Sequence, residues 1–148
     1  APLQNRLPIW IGGLGEKKTL RLVAKHADGW NAAYTSAEHF GHLGKVLDQW
    51  CEKLDRDPAT LKRSINLTFN MGTTDAQVEL EREKLHAAWG PLAERIEGGA
   101  LLCTPSEAVD RIKQYQDAGA DLVNIALRAP WQPEALDAYL EEVMPVLR

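Results

Sequence analysis

Residues Pro8 to Asn31 read PIWIGGLGEKKTLRLVAKHADGWN, and the rest of the chain is arranged around them. Ile9, Trp10 and Ile11 form a short apolar, β-favouring run behind Pro8, which suits the start of a buried strand. Gly12, Gly13 and Gly15 follow, where φ can turn positive and a ligand can approach the backbone closely. Glu16 then opens a helix whose apolar positions Leu20, Val23, Ala24 and Ala27 recur at i, i+3, i+4 and i+7. Asp28 and Gly29 return the chain to a very short strand, Trp30 to Ala33. A strand that stops in glycines against a helix N-terminus offers amide hydrogens and a positive dipole end to a phosphate. The same glycines would also serve as a tight turn and nothing more. A dinucleotide fingerprint is not present. Gly13, Leu14 and Gly15 give G-x-G, but Lys18 stands where the third glycine belongs, and Asp28 comes too early for a ribose contact.

Outward from this stretch, the chain repeats the same alternation. Thr35 with Glu38 has capping-box spacing, and Phe40, Leu43, Leu47, Trp50, Cys51 and Leu54 fall on one helical face. Asp57-Pro58 starts a turn. Ser64 to Met71 is a strand, with Ile65, Leu67, Phe69 and Met71 on one side. Thr74 and Gln77 cap a helical stretch from Asp75 to about Ile96, and Gly90-Pro91 predicts a break within it. Its apolar positions are sparse, so residues 74–100 read as a peripheral helical insertion of the kind that walls a substrate site, with Gly98 and Gly99 as a flexible joint. Thr104, Pro105 and Glu107 start the next helix, which Gly119 ends. Asp121 to Leu127 reads as a fully buried strand, and a last amphipathic helix runs from Pro133.

Composition narrows the function classes. The chain has 148 residues, 26% charged and 45% hydrophobic, with a net charge of −4, as expected of one soluble domain spanning 1–148. No basic patch with interleaved aromatics appears, so nucleic acid is not the expected partner. No apolar run reaches the roughly 18–20 residues of a membrane span, and no export signal is apparent at the N-terminus. Cys51 and Cys103 sit among apolar neighbours without C-x-x-C spacing, which suits buried, reduced thiols in a cytoplasmic protein. Residues 1–7 read as a linker or truncated loop. No G-x-S-x-G, H-E-x-x-H or P-loop is present. His39 and His42 lie three apart on a helix with no carboxylate or cysteine to complete a metal set, and read, like His26 and His86, as surface histidines.

Strand followed by helix, four times, with one insertion, means a parallel α/β sheet. Ala27-Asp28-Gly29-Trp30-Asn31 and Ala120-Asp121-Leu122-Val123-Asn124 echo each other at the helix-to-strand joins. Four such units make either an open doubly wound sheet or half of a (β/α)8 barrel.

IGGLGEKKTLRLVAKHADGWN resembles the central signature of the luciferase-like monooxygenase family, in particular its deazaflavin-dependent oxidoreductases. Arg63 to Gly72 and Thr104 to Asn124 resemble the family's later strands and penultimate helix. The similarity spans nearly the whole chain but only the C-terminal half of such a protein. It implies the C-terminal half of a (β/α)8 TIM barrel, strands five to eight. It also implies hydride transfer between coenzyme F-420 and a small organic substrate, with FMN as the alternative cofactor and a non-catalytic half-barrel as the reading outside catalysis.

In such a barrel the working face is the C-terminal end of the strands. The resemblance implies that Gly13, Leu14, Gly15 and Glu16 donate backbone N–H groups to the cofactor phosphate, with Gly12 giving room and the Glu16 carboxylate turned away. Arg128 is a second phosphate candidate, or equally a surface salt bridge. Trp30 and Asn31 would line the ring pocket unless Trp30 is simply core, and Asn70, polar at the end of an apolar strand, is a substrate contact. The family's residues nearest the reacting carbon come mostly from the first four strands, so no general acid or base is expected here. A half-barrel with an apolar inner face and free edges near Ile9 and near Ser64 or Val123 is expected to self-associate as a homodimer.

Overall fold

The computed structural model describes Leu3 and residues 6–147. Five parallel strands form one sheet: β1 (Trp10–Gly12), β2 (Gly29–Ala33), β3 (Lys62–Phe69), β4 (Ala100–Leu101) and β5 (Leu122–Ala126). The helices are α1 (Thr19–His26), α2 (Ala37–Lys53), α3 (Asp75–Trp89), α4 (Ala93–Gly98), α5 (Pro105–Asp117) and α6 (Pro133–Ala138). Residues 1, 2, 4 and 5 of the expected N-terminal linker lie outside the described residues. Arg6, just beyond them, pairs with Asp28 at 2.7 Å.

β3 is the centre of the sheet. Ser64–Asn66 pair with Asn31–Ala33 of β2 on one edge and with Leu122–Asn124 of β5 on the other. Thr68 and Phe69 then pair with β4, which continues the line of β2 on the same edge. The sequence reading expected four strands; the fifth, β4, is two residues long and closes the insertion back onto β3, too short to show a periodicity. Of the two places expected for the second edge, Ser64 or Val123, the sheet takes Val123 on β5, because Ser64 is bonded on both sides. β1, β5 and the two-residue β4 each pair with one strand, so β1 and β5 are the longer free edges.

One face of the sheet is covered by helices. Trp30, Ala32, Ile65 and Leu67 pack there against Leu20 and Val23 of α1, Phe40, Leu43 and Leu47 of α2, and Tyr115 of α5. Period-two alternation puts Trp10, Asn31, Ser64, Asn66, Thr68 and Asn124 on the opposite, open face. The expected apolar inner face is therefore corrected: its floor is polar. The Asn31 amide donates to Ser64 Oγ (2.8 Å) and Asn66 Oδ1 (3.1 Å), and the Asn124 amide donates to Asn66 Oδ1 (3.1 Å), so one hydrogen-bonded row crosses β2, β3 and β5. β5, expected to be fully buried, is only half-covered, since it is an edge strand with that open face.

Local signals account for most boundaries. Thr74 caps α3 by accepting from the Gln77 amide, and Glu107 completes the capping box of α5 by accepting from the Thr104 amide at 3.0 Å. The break at Gly90-Pro91 separates α3 from α4 as read. Two boundaries differ. α2 is capped by Ser36, not Thr35, because Thr35 is buried and its carbonyl accepts the Tyr115 hydroxyl at 2.9 Å. Gly98-Gly99 is not a flexible joint. A Cβ on Gly99 would stand 2.2 Å from the Tyr34 carbonyl carbon and the Thr35 nitrogen, so this glycine is there for close backbone contact.

Candidate functional site

The C-terminal ends of the strands carry two separate groups of residues. The first is the turn between β1 and α1. Glu16 does not open the helix; residues 16–18 form a turn, and α1 begins at Thr19. The Leu20 amide reaches back to the Gly15 carbonyl at 3.0 Å, which widens that turn. Gly13, at φ +129°, is fixed at both ends. Its amide donates to the Asn31 carbonyl at 3.1 Å, and its carbonyl accepts the Trp30 indole N–H at 2.8 Å. The Gly13 amide, expected to face a phosphate, is thus already taken. Among the described residues no hydrogen bond takes the amides of Leu14, Gly15 or Glu16, while Gly12 and Gly15 are exposed. The Glu16 carboxylate turns to His42 Nε2 at 3.1 Å, and the Glu16 carbonyl accepts the Trp50 indole at 2.8 Å, so α2 holds the turn from behind.

Trp30, expected as a wall of the ring pocket, is instead core. It is fully buried on the helix-covered face, its ring stacked on Phe40 at 5.1 Å and 6°. Strand alternation decides this: Ile11, Trp30 and Ile65 share the covered face, and Asn31 takes the open one. Trp10 lies over Gly29 instead, so close that a Cβ there would be 2.5 Å from the indole. Trp10 is 42% exposed and is the aromatic of the open face.

The second group surrounds a cavity of about 380 Å³ between the ends of β3 and β5 and the insertion helix α3. Asn70 and Arg128 both line it, so the structure joins these two expected residues and separates Arg128 from the glycine turn. Arg128 makes no salt bridge among the described residues. Its guanidinium donates to the Tyr34 hydroxyl at 3.1 Å and lies over the rings of Tyr34 (5.8 Å) and Trp89 (5.3 Å). Tyr34 itself sits at φ +54°. Glu81 is 3% exposed and pairs with Lys84 Nζ at 2.7 Å, with the Gln132 amide at 3.4 Å. Thr68 Oγ1 and Asn70 Oδ1 are sealed from solvent without a partner among the described residues. Each costs about 1–3 kcal/mol when left so.

Thr68, Glu81 and Trp89 were not singled out in the sequence. The signal existed. Ser64, Asn66, Thr68 and Asn70 are the polar phase of the β3 alternation, and Glu81 falls on the Val78–Leu85–Trp89 stripe of α3, a charge on the inward face. The four histidines are exposed, as read. Cys51 and Cys103 are buried free thiols, and burial pushes the Cys103 thiol up to about 11. No helix of the described residues is long and apolar enough to cross a membrane.

Parallel strands with helices on one face, and loops gathered at the strand ends around a glycine turn and a cavity, define half of a βα barrel with its working end. The sequence profile of the luciferase-like monooxygenase family matches residues 1–95, and the chain belongs to that family. No curated protein matches the sequence. Among solved structures, the fold is similar to an F420-dependent secondary alcohol dehydrogenase in complex with an F420-acetone adduct (TM-score 0.77, 16% identity, 97% of this chain and 50% of that one). It is similar to the long-chain alkane monooxygenase LadA (TM-score 0.72, 16% identity, 97% and 41%). It is also similar to the EDTA monooxygenase EmoA from Chelativorans sp. BNC1 (TM-score 0.71, 18% identity, 99% and 45%). The chain spans about half the length of these proteins or less.

Proposed function

We propose that this chain supplies the cofactor-phosphate-binding part of a deazaflavin-dependent oxidoreductase. The observation that carries the reading is the turn at residues 13–16. Gly13 is locked from both sides, and among the described residues the next three amides are left without partners at the mouth of α1. Such a row of amides suits an anion, and the exposed Gly12 and Gly15 leave room for one. The Glu16 carboxylate, which would repel a phosphate, is drawn off toward His42.

Coenzyme F-420, when bound, would supply hydride transfer to or from an organic substrate. The chain's own part is to bind and orient. Leu14, Gly15 and Glu16 amides would hold the phosphate, Trp30 and Trp50 would brace the turn through its carbonyls, and Asn31 would stand beside it on the open face with its amide hydrogens held by Ser64 and Asn66. A likeness to an F420-dependent dehydrogenase supports the deazaflavin reading. A likeness to alkane and EDTA monooxygenases supports the monooxygenase branch, with FMN as the alternative cofactor, as the competing reading.

Fluorescence titration of the chain with coenzyme F-420 and with FMN tests this. The expected result is saturable F-420 binding that Gly15→Asp weakens by more than about tenfold through like-charge repulsion. Gly15 is a better probe than Gly13, whose positive φ would add strain; a Cβ at Gly15 crowds the Thr19 hydroxyl at 2.9 Å, which can move, and meets Thr19 Cβ and the Thr19 nitrogen at ordinary contact, 3.5 and 3.8 Å. Preference for FMN would move the chain to the monooxygenase branch. Binding of neither, or unchanged affinity in Gly15→Asp, would leave the glycines as a plain turn.

A further inference from the structure

Arg128 stands just beyond β5, exposed at the mouth of the cavity under α3, and its charge is unanswered. Among the described residues no carboxylate pairs with it, and neutral groups hold it in place instead. The Tyr34 hydroxyl accepts one guanidinium N–H at 3.1 Å, and the guanidinium lies 5.8 and 5.3 Å from the Tyr34 and Trp89 ring centres. The two rings also pack on each other, with centroids 5.9 Å apart. Three parts of the fold thus converge on this cation: the end of β2, the end of α3 and the segment after β5. Ordering a long side chain costs rotamer freedom, and these contacts use one of its N–H groups and leave the rest open. A cation fixed this way, with a free edge, is built to receive an anion.

The lining of the cavity, about 380 Å³ in volume, decides which anion. Its charged side chains are Arg128, Lys84 and Glu81. Lys84 answers Glu81 at 2.7 Å, so one positive charge is left over. Leu85, Ala88, Trp89, Ala126 and Pro130 supply an apolar wall, which suits a hydrocarbon tail. A planar carboxylate matches the free edge of a single guanidinium with two parallel hydrogen bonds. A phosphate dianion would bring a second negative charge that no further cation meets, with Glu81 in the same wall.

We propose that this cavity binds a small organic monocarboxylate, its head on Arg128 and its tail against Leu85 and Trp89. As a substrate site it rests on the oxidoreductase reading above, but the binding itself is read without any cofactor. The Trp89 indole resonance, assigned with Trp89→Phe, is followed by NMR while the chain is titrated with butyrate, butyramide, butylamine or inorganic phosphate. A ligand this small binds in the millimolar range at ordinary efficiency. Butyrate should shift the signal saturably, at least about fivefold more tightly than its neutral isostere butyramide. Arg128→Gln should erase that preference and keep the weak butyramide response. Glu81→Gln should tighten butyrate about twofold or more by taking a negative charge out of the wall. Gly15→Asp, at the separate glycine turn, should leave butyrate binding as it is. Equal binding of butyramide would make the cavity merely apolar, preference for butylamine would make Glu81 the anchor, and preference for phosphate would make Arg128 a phosphate ligand. Loss of both butyrate and butyramide in Arg128→Gln would mean that Arg128 only props the cavity open. Each of these overturns the proposal, as does no binding at all, an undiminished preference in Arg128→Gln, or weaker butyrate binding in a folded Glu81→Gln. If coenzyme F-420 binds and butyrate does not, this proposal falls alone; if butyrate binds and coenzyme F-420 does not, the cofactor reading falls and the carboxylate site stands.

Discussion

Trp30 does at the level of one side chain what the glycine turn needs: a buried indole donates through the sheet's edge to the Gly13 carbonyl. Trp30→Phe keeps most of the apolar contact with Phe40 and removes that donor. It should cost about 1–2 kcal/mol in urea unfolding, with faster amide exchange at residues 13–16. Reading the sequence could place Trp30 only at a strand end; which face it took depended on register, and a one-residue shift exchanges Trp30 for Asn31. Titration belongs to this scale too. Burial opposes charge on Asp121, but the Lys62 ammonium at 2.9 Å and the Arg63 amide at 2.8 Å outweigh it and hold the carboxyl below its ordinary range. A carboxyl lowered by folding stabilises above its unfolded pKa and loses that contribution as pH falls. The urea midpoint should therefore drop below about pH 4, and Asp121→Asn should flatten the drop by less than about 1 kcal/mol, since the pair is partly solvated. Tyr115 runs the other way. Burial pushes its hydroxyl up to about 12, so its contribution holds at neutral pH and is lost in strong alkali.

The element that decides the site's shape is the insertion α3–α4–β4. Its start and its break were legible, because Thr74-x-x-Gln77 and Gly90-Pro91 are local chemistry. Its return to the sheet was not, because β4 pairs over only two residues and gains its order from β3. Tyr115 anchors that return by sharing its one hydroxyl hydrogen between the Thr35 and Gly98 carbonyls, at 2.9 and 3.1 Å. Gly99→Ala forces a methyl into the Tyr34–Thr35 backbone and should destabilise by about 1–3 kcal/mol or more. Protease cleavage between residues 74 and 100 should appear before global unfolding in that variant. Even cleavage across the chain would mean the insertion and the sheet unfold as one.

For the molecule as a whole, the alternation of strands and helices made a parallel α/β sheet readable, and the family resemblance, not the alternation, chose a half-barrel over an open doubly wound sheet. The polarity of the open face was also in the sequence, as the Ser64–Asn66–Thr68–Asn70 phase of β3, but the apolar phase of the same strand draws the eye first. This changes the ground for association. The edges of β1 and β5 are the features that invite a partner, with Trp10, Leu122 and Ile9 exposed beside them. We propose that the 148-residue chain self-associates through these edges. Light scattering at micromolar concentration should give a mass above one chain, insensitive to salt; a clean monomer would remove the proposal.

Because β3 alone meets three other strands, every route from the glycine turn to the Arg128 cavity along the sheet passes through it. In deuterium its amides should be the last to exchange, with β1 and β5 fading early. The two halves of the working end would then loosen independently while their common spine stays intact, so a ligand at one corner could tighten its own side without being felt at the other.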